Sequence, residues 1–380
     1  MWGPVDLLVV GAGPTGCVVA QQAAAVLDWK VLIVEKRSHI AGNCFDEPDK
    51  ETGILVHRYG PHYYRTASEE QVRYLSRFTD WIPGNYFVKS LVDGTYYPFP
   101  ININTLERFF GLSLRSTEAE ELVEELRESI QQPANSEEAV ISQVGRVLYE
   151  AFYLNYTIKQ WGMHPRDLSP SVCARIPVRL NRDDRYFDAP FQIMPGKGYA
   201  AMMAEMTKHP NIQLILKCNY WEIRDVVCPR HATVYSGPLD EYFSYQLGRL
   251  PYRSLEFEYV IKEVPWFQPS VQVNYPNDHA YTRTIEYKHL TPSNGRRTVV
   301  SYEFPTSTGE PFYPVPSTAT EVLAQDYRQL AVREKVDNRV YFTGRLAEYR
   351  YLNMDQVVNH ALAAFEEIRQ DWEERGRAIQ

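Results

Sequence analysis

Several features that mark common protein classes are scarce or missing in this chain. Its five cysteines, Cys17, Cys44, Cys173, Cys218 and Cys228, are far apart, odd in number and without Cys-x-x-Cys spacing. This pattern fits neither a disulfide framework nor a zinc site. No apolar run reaches the roughly 20 residues of a membrane span, and the N-terminus lacks the basic region of a signal peptide. We therefore expect a cytoplasmic protein with no membrane partner.

Positive charge is also scarce. Forty Lys and Arg stand against 48 Asp and Glu, giving a formal net charge of −8. No basic cluster is dense enough to neutralise a phosphate backbone, so nucleic acid is not an expected partner. Tyrosine, by contrast, is abundant, with 27 copies. Its flat apolar face and polar tip suit stacking on sugars and bases as well as packing in a core.

The first 35 residues contain a complete βαβ unit. An apolar run at residues 6–10 predicts a strand buried on both faces of a parallel sheet. Residues 17–27 predict a helix, and residues 30–34 predict a second strand that ends at Glu35.

A dinucleotide-binding motif lies within this unit. Gly11, Gly13 and Gly16 form Gly-x-Gly-x-x-Gly between the first strand and the helix. Glycines allow a tight turn and a close approach of the backbone to a pyrophosphate, while the helix N-terminus offers free N–H groups. Glu35 is placed to accept hydrogen bonds from a ribose hydroxyl. Strand, helix, spacing and acid together predict a dinucleotide site.

Two segments favour FAD over NAD by their similarity to flavoproteins. A glycine-containing stretch from Lys36 to Asn43 follows the acid, and a late strand at residues 339–345 ends in Gly344-Arg345. Flavoproteins place the first against the isoalloxazine side and bring a C-terminal segment back over the flavin. We therefore predict FAD as the cofactor.

The remaining chain divides into regions of different periodicity. Helical spacing, including Thr117 with Glu120 as a capping box, dominates from about residue 68 up to about residue 176. Short β-like segments rich in Tyr, Val and Thr follow, and a helix is expected from Met354 to the C-terminus.

We predict an α/β fold with α+β elements: a Rossmann-type FAD-binding domain, an inserted helical domain and an antiparallel β-sheet domain. The predicted bounds are residues 1–67 with about 196–235 and 335–380 for FAD binding, about 68–176 for the helical substrate or interface domain, and about 177–195 with 236–334 for a mobile loop and the antiparallel sheet.

Eight segments occur in an order typical of one enzyme family. They are Glu35–Asn43, Tyr59–His62, Pro98–Asn102, Asn155–Gly162, Arg175–Arg179 followed by Asp183–Phe187, Tyr281–Glu286, Glu310–Pro314 and Gly344–Tyr349. Through them nearly the whole chain resembles the UDP-galactopyranose mutase family.

The resemblance implies an FAD-dependent mutase that interconverts pyranose and furanose forms of a nucleotide-diphosphate sugar, with UDP-galactopyranose and UDP-galactofuranose as the first expectation. In this family, reduced flavin attacks the anomeric carbon through N5 and displaces the nucleoside diphosphate, and the sugar ring opens through a flavin-iminium intermediate. No net redox change occurs, but NAD(P)H or another reductant is needed to activate the flavin. A homodimer is also expected.

The resemblance also assigns roles to individual residues. Arg179 is expected to close onto the diphosphate from a mobile loop, Arg345 to stabilise the reduced flavin, and His62 to lie beside the isoalloxazine. The expected substrate-binding residues are Tyr156, Thr157, Trp161, Arg179, Tyr186, Arg283, Tyr313, Tyr351 and Asn353. The expected cofactor-binding residues are Gly11, Gly13, Pro14, Thr15, Gly16, Glu35, Lys36, Gly42, Asn43, Tyr59, Gly60, His62, Gly344, Arg345 and Met354.

Two positions on the substrate side depart from the family pattern. Tyr302 occupies the place where we expect a second diphosphate-binding arginine, for which Arg253 or Arg350 could substitute. Asn353 replaces an aspartate, so a charged acceptor becomes a neutral amide that both donates and accepts. These departures predict that UDP-galactopyranose is a poorer substrate than some related nucleotide sugar.

Three alternatives remain at this point. One keeps the chemistry but acts on another nucleotide sugar, such as a deoxy or modified hexose. The second is a net oxidoreductase of the amine-oxidase type, which would share the glycine motif and Glu35 but would not explain Gln160-Trp161-Gly162 or the set of tyrosines. The third is a flavoprotein that binds its ligands without catalysis.

Overall fold

The computed structural model describes residues 4–291, 293–315 and 317–378. The strands are β1 Leu7–Val10, β2 Val31–Glu35, β3 Asp46–Pro48, β4 Leu55–His57, β5 Tyr64–Thr66, β6 Trp81–Pro83, β7 Val88–Val92, β8 Thr95–Phe99, β9 Phe191–Pro195, β10 Ile212–Leu216, β11 Ala232–Tyr235, β12 Tyr252–Lys262, β13 Gln272–Asn274, β14 Arg283–Glu286, β15 Thr298–Thr306, β16 Tyr313–Pro314 and β17 Val340–Phe342. The α-helices are α1 Pro14–Leu27, α2 Glu69–Leu75, α3 Ile103–Phe110, α4 Ser116–Leu126, α5 Ser136–Tyr149, α6 Asn155–Trp161, α7 Ser171–Ala174, α8 Tyr199–Met206, α9 Tyr220–Ile223, α10 Leu239–Tyr242, α11 Thr318–Asn338 and α12 Met354–Ala378.

A parallel sheet of five strands has the order β10-β2-β1-β11-β17. All residues of β1 and β2 are buried, as the continuous apolar runs predict for strands covered on both faces. Helix α1 begins with Pro14, whose missing N–H would have no partner in the first turn, and it packs against α12. The predicted βαβ unit, the late strand and the C-terminal helix are confirmed.

A second sheet of seven strands has the order β16-β12-β15-β14-β13-β7-β8. Its pairs are antiparallel except for β13 with β7. Strands β7 and β8 come from the segment that we expected to be helical, so that expectation is wrong for residues 81–99. The burial in β7 alternates along the strand, and Asp93-Gly94, both with positive φ, make the turn to β8. An Asp-Gly pair between alternating apolar residues is a hairpin signal, and it outweighs the helical pattern around it.

The predicted capping box at the start of α4 is displaced. The helix begins at Ser116, and the Arg115 backbone N–H donates to the Glu118 carboxylate at 2.7 Å. Thr117 and Glu120 are therefore already inside the helix. Among the described residues, no helix combines the length and the apolar character needed to cross a bilayer.

The site is positioned by the edge of the parallel sheet. The loops after β1, β2, β11 and β17 all leave the carboxyl ends of neighbouring strands, which is where open α/β sheets bind ligands. The seven-stranded sheet contacts the end of β4, because the hydroxyls of Tyr259 in β12 and of Tyr287, just after β14, both donate to the carbonyl of His57.

Candidate active site

The glycine turn after β1 leaves no room for a side chain at Gly11 or Gly16. Gly11 has a φ of +103°, and a Cβ on Gly16 would lie 1.9 Å from the Gly11 carbonyl oxygen. A Cβ on Gly42 would lie 3.1 Å from the Cα of Gly13, so the two backbones meet closely. The free N–H groups at the start of α1 are consequently open to a phosphate.

Glu35 is oriented by the backbone around it. The Ala12 N–H donates to Glu35 Oε2 at 2.9 Å, and the Arg37 N–H donates to Oε1 at 2.9 Å. The carboxylate is buried and fixed at the end of β2, beside the glycine turn. This is the arrangement that receives the ribose of a dinucleotide.

These elements border a cleft of about 190 Å³. Gly11 and Gly16 shape the turn without lining the cleft, and Tyr59 and Gly60 are also absent from its wall. Tyr59 instead packs under the Arg37 guanidinium, 4.5 Å from the ring centroid. The predicted cofactor residues that do line the cleft are Gly13, Pro14, Thr15, Glu35, Lys36, Gly42, Asn43, His62, Gly344, Arg345 and Met354.

A larger cavity of about 750 Å³ adjoins the cleft, with a side pocket of about 80 Å³. Tyr156 and Thr157 line the side pocket only. The other predicted substrate residues, Arg179 excepted, line the main cavity: Trp161, Tyr186, Arg283, Tyr313, Tyr351 and Asn353.

His62, Arg345 and Met354 line both the cleft and the main cavity, so these three residues mark the junction. The Arg345 guanidinium donates to the Leu352 carbonyl at 2.7 and 3.2 Å. It also lies 5.2 Å from the ring centroid of Tyr313 and 5.4 Å from that of Tyr351. A ligand in the cleft and a ligand in the cavity would therefore meet beside a fixed cation.

The main cavity is rich in positive charge. Arg283 donates to the buried carboxylate of Glu303 at 2.6 Å. Although burial opposes its charge, this pairing raises the pKa of Arg283 well above the usual value. Arg65, Arg175 and Arg350 also line the cavity and have no carboxylate partner in the described part of the chain. Arginines without internal partners in a partly enclosed cavity suit a dianionic ligand.

Tyr351 lies between these cations. Burial alone would raise the pKa of its hydroxyl, but Arg175 and Arg345 outweigh burial and lower the pKa to about 8. The Arg175 guanidinium is 4.4 Å from the Tyr351 ring centroid, and the Tyr313 ring stacks on Tyr351 at 5.6 Å. The phenol is thus an acid that loses its proton near the upper end of the physiological pH range.

His62 is neutral at its junction position. Burial, with the nearby Arg345 and Arg283, lowers the pKa of its imidazole to about 4. Its Nδ1 lies 2.8 Å from the Gly60 carbonyl oxygen, so Nδ1 carries the proton and donates. The Nε2 lone pair is therefore the part of the ring left to accept a hydrogen bond.

A family model described as UDP-galactopyranose mutase matches residues 151–351, and one described as an NAD(P)-binding Rossmann-like domain matches residues 9–78. A Klebsiella pneumoniae relative named "Probable UDP-galactopyranose mutase" is 39% identical, over 96% of this chain and 94% of that protein. The chain belongs to the UDP-galactopyranose mutase family. A dTDP-fucopyranose mutase of Escherichia coli is 35% identical, over 94% of this chain and 96% of that protein.

Solved structures share the fold at low identity. A reduced UDP-galactopyranose mutase has a TM-score of 0.76 at 16% identity, covering 97% of this chain and 94% of that chain. Wild-type putrescine oxidase with putrescine has a TM-score of 0.54 at 12% identity, covering 97% of this chain and 99% of that chain. The predicted α/β fold with a Rossmann-type domain is confirmed, as is the prediction of a mutase-type enzyme.

One arginine of the family motif does not lie where we expected. Arg179 is buried away from the cavity, where its guanidinium donates to the carbonyls of Arg185 and Tyr186. Its own N–H donates to the Ile101 carbonyl at 2.9 Å, which holds this part of the loop against the residues after β8. Arg175 lines both the cavity and its side pocket. In this structure, Arg175 and not Arg179 is the arginine of the motif that lines the cavity.

The two departures from the family pattern have different outcomes. Tyr302 is not in the cavity wall, because its ring packs against Tyr281, with ring centroids 5.0 Å apart. Arg253 is likewise engaged elsewhere, donating to the carbonyls of Gln160 and Lys159. Asn353 does line the cavity, so it is the departure that bears on the ligand.

The sequence prediction missed two cavity arginines, Arg65 and Arg175, whereas Arg350, which it named as a substitute cation, does line the cavity. Arg65 lies 3.9 Å over the Phe187 ring and makes no ion pair among the described residues. Arg175 was within a recognised motif, so it had a local signal. Arg65 follows the Tyr59–His62 segment without a motif of its own, so only packing could identify it.

Proposed function

We propose that this protein is an FAD-dependent mutase that interconverts the pyranose and furanose forms of a nucleotide-diphosphate sugar. The observation that carries the proposal is a dinucleotide cleft that opens at His62 and Arg345 into a cavity rich in arginine and tyrosine. An amine-oxidase-type enzyme would use the same cleft but would have no need for several cations around the second ligand.

The residues of the cleft fit FAD. The glycine turn would receive the pyrophosphate, and Glu35 would receive a ribose hydroxyl. When bound and reduced, FAD supplies a nucleophilic nitrogen for the anomeric carbon, so the reaction requires electrons without consuming them. We propose NAD(P)H or another reductant as their source.

The arginines would hold the diphosphate while it leaves the sugar and returns. Arg175 and Arg345 flank Tyr351, and Arg283 lies on the same cavity wall as Tyr313. A guanidinium presents a planar set of donors that binds phosphate oxygens in pairs, so the departing group can be retained close to the sugar. Protonated tyrosine hydroxyls would add donors without further charge.

The side pocket would contact the base of the nucleoside. Its wall combines the Phe152 and Tyr156 rings with the hydroxyl of Thr157, which suits stacking on a base together with a polar contact. Trp161 lines both the side pocket and the main cavity, and it is almost fully buried. This residue would therefore separate the nucleoside from the sugar.

UDP-galactopyranose is the first candidate substrate, on the family resemblance. A second candidate is dTDP-fucopyranose or another deoxy sugar nucleotide, which two observations favour. Asn353 places an amide in the cavity where we expected a carboxylate, and a relative that is 35% identical is named dTDP-fucopyranose mutase. A cytoplasmic homodimer is proposed on the resemblance alone.

The test is product analysis with pre-reduced, FAD-loaded enzyme on a panel of UDP and dTDP sugars. We expect furanose product without stoichiometric consumption of reductant, and no turnover with oxidised flavin. Consumption of one reductant or oxidant per product would support the oxidoreductase. Tight ligand binding without any product from the whole panel would support a non-catalytic flavoprotein.

A further inference from the structure

His57 is a buried group that no sequence motif assigned to the site. It ends β4, and its side chain is 0% exposed. Its ring Nδ1 accepts a hydrogen bond from the backbone N–H of His62 at 3.0 Å. Its carbonyl accepts the hydroxyls of Tyr259 and Tyr287, both at 2.9 Å. One residue thus connects the turn at the junction with two parts of the chain around the seven-stranded sheet.

The protonation of His57 follows from these contacts. Because Nδ1 accepts, the proton of the neutral ring is on Nε2. Burial, with the neighbouring His62, lowers the pKa of the imidazole to about 3, so the ring remains neutral under ordinary conditions. Nε2 lies 3.9 Å from the Asp46 carboxylate and has no hydrogen-bond partner in the described residues. In this neutral ring, Nδ1 keeps its lone pair and accepts the hydrogen bond from the His62 N–H.

The turn that His57 holds is the one that carries His62. Gly60 has a φ of +85°, and its carbonyl accepts from Nδ1 of His62. The main chain of His62 is therefore fixed by the ring of His57, and the ring of His62 is fixed by Gly60. Both constraints act on His62, which lines both the cleft and the main cavity.

We infer that His57 is a positioning residue. Its ring Nδ1 fixes the position of His62 at the junction between the cleft and the main cavity. The inference rests on the proposed function, because FAD would lie against His62. An apolar side chain could fill the same space, but it would leave the His62 N–H buried without an acceptor. Such a loss would shift the turn or admit water at the junction.

Two polar variants separate positioning from packing. In His57→Asn the amide oxygen lies near the position of Nδ1, whereas in His57→Gln it lies near that of Nε2. Both variants are measured as FAD-loaded enzyme for kcat, KM, flavin midpoint potential and hydrogen–deuterium exchange of the peptide covering residues 58–63. We expect His57→Gln to lower kcat about tenfold, with KM unchanged, a shifted potential and faster exchange. His57→Asn should remain within about twofold of the parent in kcat and exchange.

Tyr242→Phe is a matched control for the loss of a buried hydrogen bond. Its hydroxyl donates to Glu334 at 2.7 Å, in a hydrophobic cluster separate from the cavity. This variant should lower the melting temperature and leave the flavin potential unchanged. Equal behaviour of His57→Asn and His57→Gln in kcat, potential and exchange would overturn the inference. Failure of the wild-type protein to form a furanose would instead overturn the proposed function, since the exchange comparison does not depend on turnover.

Discussion

The cofactor cleft is lined mainly by loops that follow neighbouring strands of one parallel sheet, whereas the larger cavity is lined by residues from distant parts of the chain. In the cleft, Glu35 is the last residue of β2, and Gly13 and Gly344 lie in the loops that follow β1 and β17. In the cavity, Arg175 follows a helix of one turn and Tyr351 lies in a loop before α12. Short-range sequence therefore describes the first region much better than the second.

The two regions also differ in what a substitution would disturb. Cleft positions are constrained by the backbone, because added atoms at the glycines meet main-chain atoms or nearby side chains. Cavity positions are constrained by charge, because several arginines there have no internal carboxylate among the described residues. Changes in the cleft should affect folding and FAD retention, while changes in the cavity should affect turnover in an otherwise intact flavoprotein.

Gly16→Ala tests the backbone constraint and should have the largest effect. The new Cβ would lie 1.9 Å from the Gly11 carbonyl oxygen, so the turn cannot keep its shape. We expect loss of bound FAD and a large fall in melting temperature, measured by absorbance and thermal unfolding. Gly376→Ala is the control, since no atom lies within 4 Å of its new Cβ and alanine favours a helix by about 1 kcal/mol. An alanine at Gly16 that retains full FAD would contradict the role of the turn.

Arg175→Ala and Arg179→Ala test the charge constraint as a pair. Removing the cavity arginine should lower kcat/KM by a factor on the order of 10²–10³, with the flavin spectrum and melting temperature unchanged. Removing Arg179 should mainly lower the melting temperature, because its buried guanidinium holds the carbonyls of Arg185 and Tyr186. If Arg179→Ala shows the greater loss of activity at unchanged stability, the assignment from the sequence motif is right and ours is wrong.

The pH dependence of substrate binding tests the electrostatics of the cavity. The pKa of Tyr351 is lowered to about 8, so its hydroxyl is protonated below that pH and becomes a phenolate above it. The phenolate would pair with Arg175 and repel a diphosphate, so KM should rise several-fold between roughly pH 7 and pH 9.5. Tyr351→Phe should have a flatter profile over that range. An equal rise in the phenylalanine variant would assign the titration to another group.

Asn353→Asp should have the smallest effect, and it should change only the preference between sugar nucleotide substrates. A carboxylate accepts hydrogen bonds from two hydroxyls, whereas the amide also donates. We expect the variant to move the ratio of kcat/KM by a few-fold toward UDP-galactopyranose and away from deoxy sugar nucleotides. The measurement is competition between the two substrates in one mixture. No change in the ratio would show that Asn353 does not contact the sugar.

Much of the fold could be predicted from the sequence, because the patterns that indicate it lie within short segments of the chain. The strand at Leu7–Val10, the glycine turn and the helix after it lie within one short segment, and each follows from apolar runs or backbone freedom. The sequence analysis missed the hairpin of β7 and β8, although Asp93-Gly94 is a turn signal typical of hairpins. The helical periodicity of the neighbouring residues led to the prediction of a helical region there. The predicted Thr117 cap was misplaced by two residues, since Arg115 and Glu118 form the observed pair.

The sequence by itself determined the βαβ unit and its glycine motif, since these depend on residues close together along the chain, and it determined the family through eight short segments in a characteristic order. Tertiary structure decided which charged groups line the larger cavity. Arg175 and Arg179 are the same residue type four positions apart, yet Arg175 lines the cavity, whereas the backbone N–H of Arg179 donates to the Ile101 carbonyl and its side chain is buried. Tertiary structure also brought Arg65 into the cavity and His57 beneath His62. The physical reason is that a side chain's direction depends on contacts between segments far apart in sequence, which no local pattern records.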